Sequence, residues 1–294
     1  MISLLPALVL LFQSIITVHT DLVVVPAVVT DARGLHVTGL VQENFQVYED
    51  GQPRPTAVFE QGEAPVTMGL VIDRSQSMRP KTSALLVAVS ALLKLIRKDD
   101  ELFAVDFNDK VSFELPKDRP FTSDTKALEA ALVNVRAEGQ TALYDGVAEA
   151  LLQLRAGRGE RRALIVISDG GDNVSRRKYA DVLALARQSD AVIYAIGLLG
   201  NSSGEEEEDD GVLKRLCKDT GGVAYFPRTA EDIAAVSAQV AADLRETYTL
   251  GFSPRDGADG RVFHKIEVKV TLAGRGRLNV RTRSGYLSAT SPKS

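Results

Sequence analysis

Between residues 67 and 247 the chain alternates short apolar runs with longer amphipathic segments, and this alternation limits the fold more than any other feature. The apolar runs lie at 67–73, 102–107, 163–168, 191–198 and 223–226. The amphipathic segments lie at 78–97, 123–135, 142–156, 176–188, 211–219 and 230–247. Nearly continuous apolar strands joined by helices are typical of parallel strands buried on both faces. We therefore expect an α/β fold over residues 66–248, with a doubly wound, mostly parallel sheet and helices on both faces. The segment 111–115 predicts a short antiparallel edge strand beside 102–107.

Two β-rich segments flank this block. Strand-like sequence occurs at 15–29, 45–48 and 57–59 before it, and at 249–252, 263–270 and 278–283 after it, with turn signals that include Glu49-Asp50-Gly51, Asp256-Gly257 and Gly274-Arg275-Gly276. Sheets of two or three strands are marginal by themselves. We therefore expect residues 15–62 and 249–287 to pair as one small β-rich domain, with the α/β domain inserted between them. Residues 288–294 are expected to be a polar tail.

The composition excludes several classes of protein. A net charge of −4, without a Lys/Arg-rich stripe, argues against nucleic-acid binding. The single cysteine, Cys217, excludes an internal disulfide framework and a cysteine-based zinc site, and its apolar neighbours predict a buried thiol. The three histidines lie far apart in the sequence and have no metal-binding spacing.

The first 14 residues are apolar apart from Ser3, Gln13 and Ser14. This length fits the hydrophobic part of a secretory signal and is too short to span a bilayer. However, no Lys or Arg precedes the segment and no small-x-small cleavage site follows it, so a mis-set start or a buried first strand is the alternative. Export to the periplasm or the exterior, without a membrane span, is the expectation.

Three motifs place oxygen-bearing side chains at the ends of predicted strands or before a predicted helix. They are Asp73-x-Ser75-x-Ser77, Gly139-Gln140-Thr141 and Ser168-Asp169-Gly170. In doubly wound sheets, ligands bind at the carboxyl ends of strands near the topological switch point. Carboxylate and hydroxyl oxygens suit Mg²⁺, Mn²⁺ or Ca²⁺ rather than zinc or copper. The local alternative is that the serines and Thr141 only cap helices and that Asp169 only forms a turn.

In this order, the three motifs resemble the metal-ion-dependent adhesion site of the von Willebrand factor type A domain. The resemblance covers about residues 66–248, and all five ligand positions of the family are filled; Gln140 stands where a second glycine is common. The flanking stretches 23–31, 45–51 and 283–286 are similar to those of bacterial, acidobacterial-type proteins related to this family.

The resemblance implies a metal site formed by Asp73, Ser75, Ser77, Thr141 and Asp169. The cation would be bound directly by Ser75, Ser77 and Thr141. The two aspartates would act through bound water, or would accept hydrogen bonds without touching the cation. The cofactor would be Mg²⁺, or Mn²⁺ or Ca²⁺. A cation with few carboxylate ligands keeps much of its charge, so a protein partner presenting Asp or Glu would complete its coordination. The resemblance thus implies a cation-dependent protein-binding module and no enzyme.

Two other functions are weighed against this one. A magnesium-dependent phosphoryl-transfer enzyme also places Asp at strand ends, but its usual acid, an Asp two residues after the nucleophile, is replaced by Ser75. A structural domain in which a cation only ties loops together is the third possibility.

The acidic run Glu205–Asp210 follows the strand at 191–198. It is expected to be a solvated loop or, alternatively, a cluster of charge close to the metal site.

Overall fold

The computed structural model describes residues 22–62, 64–133, 136–198, 206–255 and 262–288, and within 206–210 it describes the backbone only. In the flanks, the strands are β1 (Val23–Thr30), β2 (Phe45–Glu49), β3 (Gln52–Arg54), β4 (Val58–Glu60), β11 (Tyr248–Phe252), β12 (Phe263–Val270), β13 (Asn279–Thr282) and β14 (Gly285–Leu287). In the middle, the strands are β5 (Val66–Asp73), β6 (Glu101–Phe107), β7 (Val111–Phe113), β8 (Arg161–Ser168), β9 (Val192–Gly197) and β10 (Ala224–Tyr225). The helices are α1 (Thr82–Leu93), α2 (Thr125–Val133), α3 (Leu143–Leu154), α4 (Tyr179–Gln188), α5 (Glu206–Thr220) and α6 (Ala230–Arg245).

The central sheet confirms the predicted α/β class. Its strand order is β10-β9-β8-β5-β6-β7, and every pair is parallel except β6 with β7, which is the expected antiparallel edge. The chain runs outward from β5 to β6 on one side and then returns to β8 on the other. The topological switch point therefore lies between β5 and β8, so the loops that follow these two strands lie side by side.

Helices cover both faces of this sheet because alternate strand residues point to opposite sides. On one face, Leu70 and Ile165 pack with apolar residues of α1, α2 and α6. On the other, Val71 and Leu164 pack with residues of α3, α4 and α5, including the buried Cys217. Burial raises the pKa of the Cys217 thiol well above its ordinary value, which suits the predicted core role.

Two helices, α1 and α5, differ most from their predicted boundaries. The segment predicted as a helix over 78–97 is α1 only from Thr82 to Leu93, and Gln76–Lys81 forms a 3-10 helix containing Pro80. Proline disfavours the α conformation of the residue before it, which explains the late start of α1.

Residues 206–210 of the acidic run do not form the expected loop but are the first residues of α5, and Glu205 lies outside the described residues. The helix α5 is therefore longer at its N-terminal end than the predicted 211–219.

The flanks pair with each other, as the fold prediction expected. They form two four-stranded sheets, β13-β1-β11-β4 and β14-β12-β2-β3, so each sheet contains strands from both ends of the chain. Val25 from the first flank packs with Leu250 and Val268 from the second in one apolar core. The Glu49–Gly51 turn joins β2 to β3 as a hairpin. The predictions for residues 1–14 and 15–21, for the Asp256-Gly257 turn and for the tail from 289 onward lie outside the described residues.

Charged side chains attach this β unit to the α/β unit. Arg161 at the start of β8 donates hydrogen bonds to the carbonyl oxygens of Gly62, Leu244, Arg245 and Thr247, so one guanidinium holds both connections between the units.

Among the described residues no helix is both long enough and apolar enough to cross a membrane.

Candidate metal centre

The candidate site lies at the carboxyl edge of the central sheet, where three loops meet. One loop follows β5 and carries Asp73 to Ser77, the second follows β8 and begins with Asp169, and the third precedes α3 and contains Thr141. The first two are adjacent because β5 pairs with β8 up to Ile72 and Ile167. The third is held against the first by hydrogen bonds from the Gln76 amide to the carbonyl oxygen of Gly139 at 3.0 Å and from the Glu138 amide to that of Arg74 at 2.8 Å.

Asp73 is buried at the centre of this arrangement. Its Oδ1 accepts a hydrogen bond from the Ser75 amide at 2.8 Å, and its Oδ2 accepts one from the Ser168 hydroxyl at 2.6 Å. Burial raises the pKa of Asp73 to about 6, while these hydrogen bonds oppose the shift and the charge of Asp169 adds to it. The carboxylate is therefore held rigidly, and positive charge nearby would stabilise its ionised form.

The two serine hydroxyls face each other, with their Oγ atoms 2.9 Å apart. Ser75 precedes the 3-10 helix but makes no side-chain capping hydrogen bond. The alternative that Ser75 serves only as a helix cap is thus not supported, and its oxygen is turned toward Ser77 instead.

Thr141 lies on a loop that other side chains hold in place. Its amide donates to Oδ1 of Asn173 at 2.9 Å, and its carbonyl oxygen accepts from the Asn173 amide at 2.9 Å. Asn173 belongs to the loop after β8, so the loops that carry Thr141 and Asp169 are tied together. Ala142, rather than Thr141, is the N-cap residue of α3, so Thr141 is not the helix cap that the alternative required.

Gly139 and Asp109 shape the start of the same loop. Gly139 has a φ of +80°, and a Cβ atom there would lie 2.2 Å from Oδ2 of Asp109. Oδ1 of Asp109 accepts the hydrogen bond of the Gln140 amide at 3.0 Å. The turn between β6 and β7 thus supports the loop, and glycine is required at position 139.

Asp169 pairs with a lysine from the first loop. The distance from Lys81 Nζ to Asp169 Oδ2 is 3.0 Å. The carboxylate of Asp169 lies close enough to Asp73 for its charge to raise the pKa of that residue. A positively charged group therefore already pairs with Asp169 at this site.

These side chains fit a hard divalent cation. Two neighbouring oxygen ligands of an octahedral Mg²⁺ at about 2.1 Å are separated by about 3 Å. The Ser75 and Ser77 hydroxyls form a hydrogen bond of 2.9 Å, and the same spacing would suit two neighbouring ligands of such a cation. In the described part of the chain, no group of three or more His, Cys, Asp or Glu side chains could hold a metal ion, so a cation here would need hydroxyl ligands.

The roles of several residues of this site are not predicted by the sequence. Ser168 was noted only as part of a motif, whereas its hydroxyl orients Asp73. The roles of Lys81, Asp109 and Asn173 depend on loops that are distant in sequence, and no local spacing signals them. Only the polar composition of the loop after β8 points to Asn173.

Comparison with known proteins agrees with this geometry. Residues 68–171 match the von Willebrand factor type A domain family, and the matched segment contains all five candidate ligands.

A structure described as von Willebrand factor type A from Catenulispora acidiphila aligns with a TM-score of 0.52 at 13% identity, covering 83% of this chain and 75% of that one. Proximal thread matrix protein 1 from the mussel byssus aligns with a TM-score of 0.52 at 17% identity, covering 67% of this chain and 51% of that one. At these identities the likeness concerns the fold alone. No curated protein matches the sequence. The narrower resemblance to acidobacterial-type proteins stays a prediction.

Proposed function

Residues 68–171 match the von Willebrand factor type A domain family, and on this premise we propose that the chain is a divalent-cation-dependent protein-binding module. Asp73, Ser75, Ser77, Thr141 and Asp169 would hold Mg²⁺, with Mn²⁺ or Ca²⁺ as substitutes. The observation that carries the proposal is the pair of facing serine hydroxyls, 2.9 Å apart, beside a buried aspartate at the switch point of the sheet.

The chemistry of these ligands indicates what the site would recognise. A bound divalent cation would supply an electrophilic centre that neutral hydroxyls leave largely uncompensated. Ser77 is exposed, so this centre would be accessible from solvent. An Asp or Glu carboxylate from a protein partner is the ligand that best combines hard oxygen with negative charge.

The β-rich unit would leave this edge accessible. It contacts the α/β unit through Arg161 at the start of β8, which donates to the carbonyl oxygen of Gly62, and through Ser284, whose hydroxyl donates to Asp219 near the end of α5. Both contacts lie at the amino edge of the sheet. The eight residues of β5 separate the two edges by about 23 Å. A partner could therefore approach the metal site without displacing the flanks.

Metal binding is tested by calorimetry with Mg²⁺ and Mn²⁺ on the wild type and on Asp73→Asn. We expect modest affinity in the wild type and no measurable binding in the variant, because the substitution keeps the shape of the side chain but removes its charge. Asp99→Asn, which removes an exposed carboxylate beyond the C-terminal end of α1, is the matched control. Equal affinity in the wild type and in Asp73→Asn would remove these residues from the proposal.

Partner binding is tested by affinity capture in Mg²⁺ and in EDTA, with a Ser77→Ala bait as the control. A specific partner should be retained only in Mg²⁺ and only by the wild type. Its contact should then be lost when the interacting Asp or Glu of the partner is changed to its amide. Capture that is indifferent to EDTA and to Ser77→Ala would contradict a cation-dependent mode.

We also propose that the protein acts outside the cytoplasm, in the periplasm or beyond the cell. The apolar segment Met1–Ser14 supports this proposal. Cell fractionation with mass spectrometry of the mature N-terminus tests it, and intact protein confined to the cytoplasmic fraction would refute it.

A further inference from the structure

The side chain of Lys81 does not cap α1, the helix that follows it. Lys81 is the N-cap residue of α1 and makes no side-chain capping hydrogen bond. Helix N-termini favour Ser, Thr, Asp or Asn, and a positive charge there is opposed by the helix dipole. Lys81 is also the last residue of the 3-10 helix Gln76–Lys81, so its side chain is not needed to cap α1.

The side chain of Lys81 extends instead to the candidate metal site. Its Nζ lies 3.0 Å from Oδ2 of Asp169, and the two side chains are only 18% and 14% exposed. A pair with this little exposure is screened by solvent less than a surface salt bridge is. The ammonium thus neutralises one of the two carboxylates of the site.

We propose that Lys81 is a tethered cation that occupies the side of the site at Asp169 until a divalent cation replaces it. This inference rests on the proposed function and adds a regulatory element to it. Lysine suits the role because its ammonium is a compact charge on a flexible four-carbon stem, so it can leave Asp169 without moving the backbone. Binding of Mg²⁺ then requires the ion pair between Lys81 and Asp169 to open, which lowers the affinity for the metal.

The consequence is a site that remains ordered without metal. Asp73 and Asp169 stand at the ends of the paired strands β5 and β8, so the two carboxylates repel each other when both are ionised. With Lys81 in place this repulsion is compensated, so the loops after β5 and β8 need no divalent cation to stay together. The same interaction keeps the site unloaded at low cation concentration.

The experiment measures Mg²⁺ affinity by calorimetry and the melting temperature in EDTA for the wild type, Lys81→Met and Lys81→Arg. We expect Lys81→Met to bind Mg²⁺ about tenfold more tightly, since the competing positive charge is gone. We also expect it to melt at a lower temperature than the wild type in EDTA and to gain more from added Mg²⁺. Lys81→Arg retains the charge and should restore the weaker affinity.

Lys110→Met is the matched control, because Lys110 is an exposed cation on the turn after β6 at the same edge of the sheet. Its removal should change the Mg²⁺ affinity little at physiological salt, since exposed charges are screened over about 8 Å.

The outcomes separate the two proposals. If the wild type binds Mg²⁺ and Lys81→Met binds it no more tightly, Lys81 does not compete with the metal and this inference is wrong, while the proposed function stands. If neither the wild type nor any of the variants binds Mg²⁺ or Mn²⁺, the proposed function itself is wrong. In that case an unchanged melting temperature of Lys81→Met in EDTA would also rule out Lys81 as the counter-ion of the site.

Discussion

At the scale of single residues, the buried contacts of Arg74 hold the Asp73-x-Ser75-x-Ser77 motif in place. Arg74 lies between Asp73 and Ser75 and is itself buried. Its Nε donates to Oδ2 of Asp106 at 3.0 Å, and its Nη2 donates to the carbonyl oxygen of Leu132. Glu114 interacts with the charge of Arg74 and forms a hydrogen bond with Asp106. Burial raises the pKa of Asp106 to about 7, the charge of Arg74 opposes the shift, and the charge of Glu114 adds to it.

This arrangement predicts a pH dependence of stability in metal-free protein. Between the ordinary pKa of 3.8 and the folded value of about 7, Asp106 holds a proton in the folded state that the unfolded chain has lost. The free energy of unfolding should therefore fall as pH rises through this window, by up to about 1.4 kcal/mol per pH unit, and level off above it. Asp106→Asn should reduce the slope in urea unfolding between pH 5 and pH 7.

The comparison is between variants, because burial also raises the pKa values of Asp73 and Glu114, which act in the same direction over part of this range. Asp118→Asn, which removes an exposed carboxylate, should keep the wild-type slope. Parallel curves for the wild type and Asp106→Asn would show that Asp106 is ionised throughout.

At the scale of elements, the loop before α3 depends on the turn between β6 and β7. Gly139→Ala combines two costs: a φ of +80° and a Cβ atom that would lie 2.2 Å from Oδ2 of Asp109. We expect the protein to lose more than the roughly 1–2 kcal/mol of a left-handed residue alone. Mg²⁺ affinity should also fall, because Thr141 lies two residues further on. Thermal unfolding and calorimetry measure the two effects.

Gly34→Ala is the control for the backbone term. Gly34 has a φ of +81°, and no atom lies within 4 Å of the position that a Cβ would take, so its substitution carries the conformational cost without the clash. If the two variants lose equal stability and both retain the wild-type Mg²⁺ affinity, the Asp109 contact does not shape the site.

At the scale of the whole molecule, the two flanks depend on each other. β1 lies between β11 and β13, and β2 lies between β12 and β3. β4 pairs with β11, so the chain enters and leaves the α/β unit at neighbouring positions. A sandwich that is closed only by both ends of the chain cannot persist when one end is removed.

Truncation tests this dependence. In a chain ending at residue 247, β1 loses both neighbours, and residues 22–62 should be cleaved at least about tenfold faster in limited proteolysis than in the full chain. A chain ending at residue 288 removes only the tail beyond β14 and should be cleaved like the full chain. Equal protection of 22–62 in both truncated chains would mean that the first flank folds independently.

How far the sequence alone predicts this protein differs between the fold and the site. The apolar runs predicted the buried strands, since a strand covered on both faces must be apolar at nearly every position. Helix ends are harder to predict, because a single residue such as Pro80 changes the backbone within one turn, whereas the periodicity extends over the whole helix. The marginal size of each flank predicted that they pair, but their division into two sheets depends on registers that no local pattern specifies.

For the candidate site, the three motifs already named the five oxygen-bearing side chains, because their chemistry and their places at strand ends are local properties of the chain. Only the tertiary structure decided what surrounds them. It placed Ser168 on Asp73 and Lys81 on Asp169, across 95 and 88 residues of sequence. Such contacts arise where the switch between β5 and β8 brings distant loops together, and there the pKa and the charge balance of each group depend on its neighbours in space.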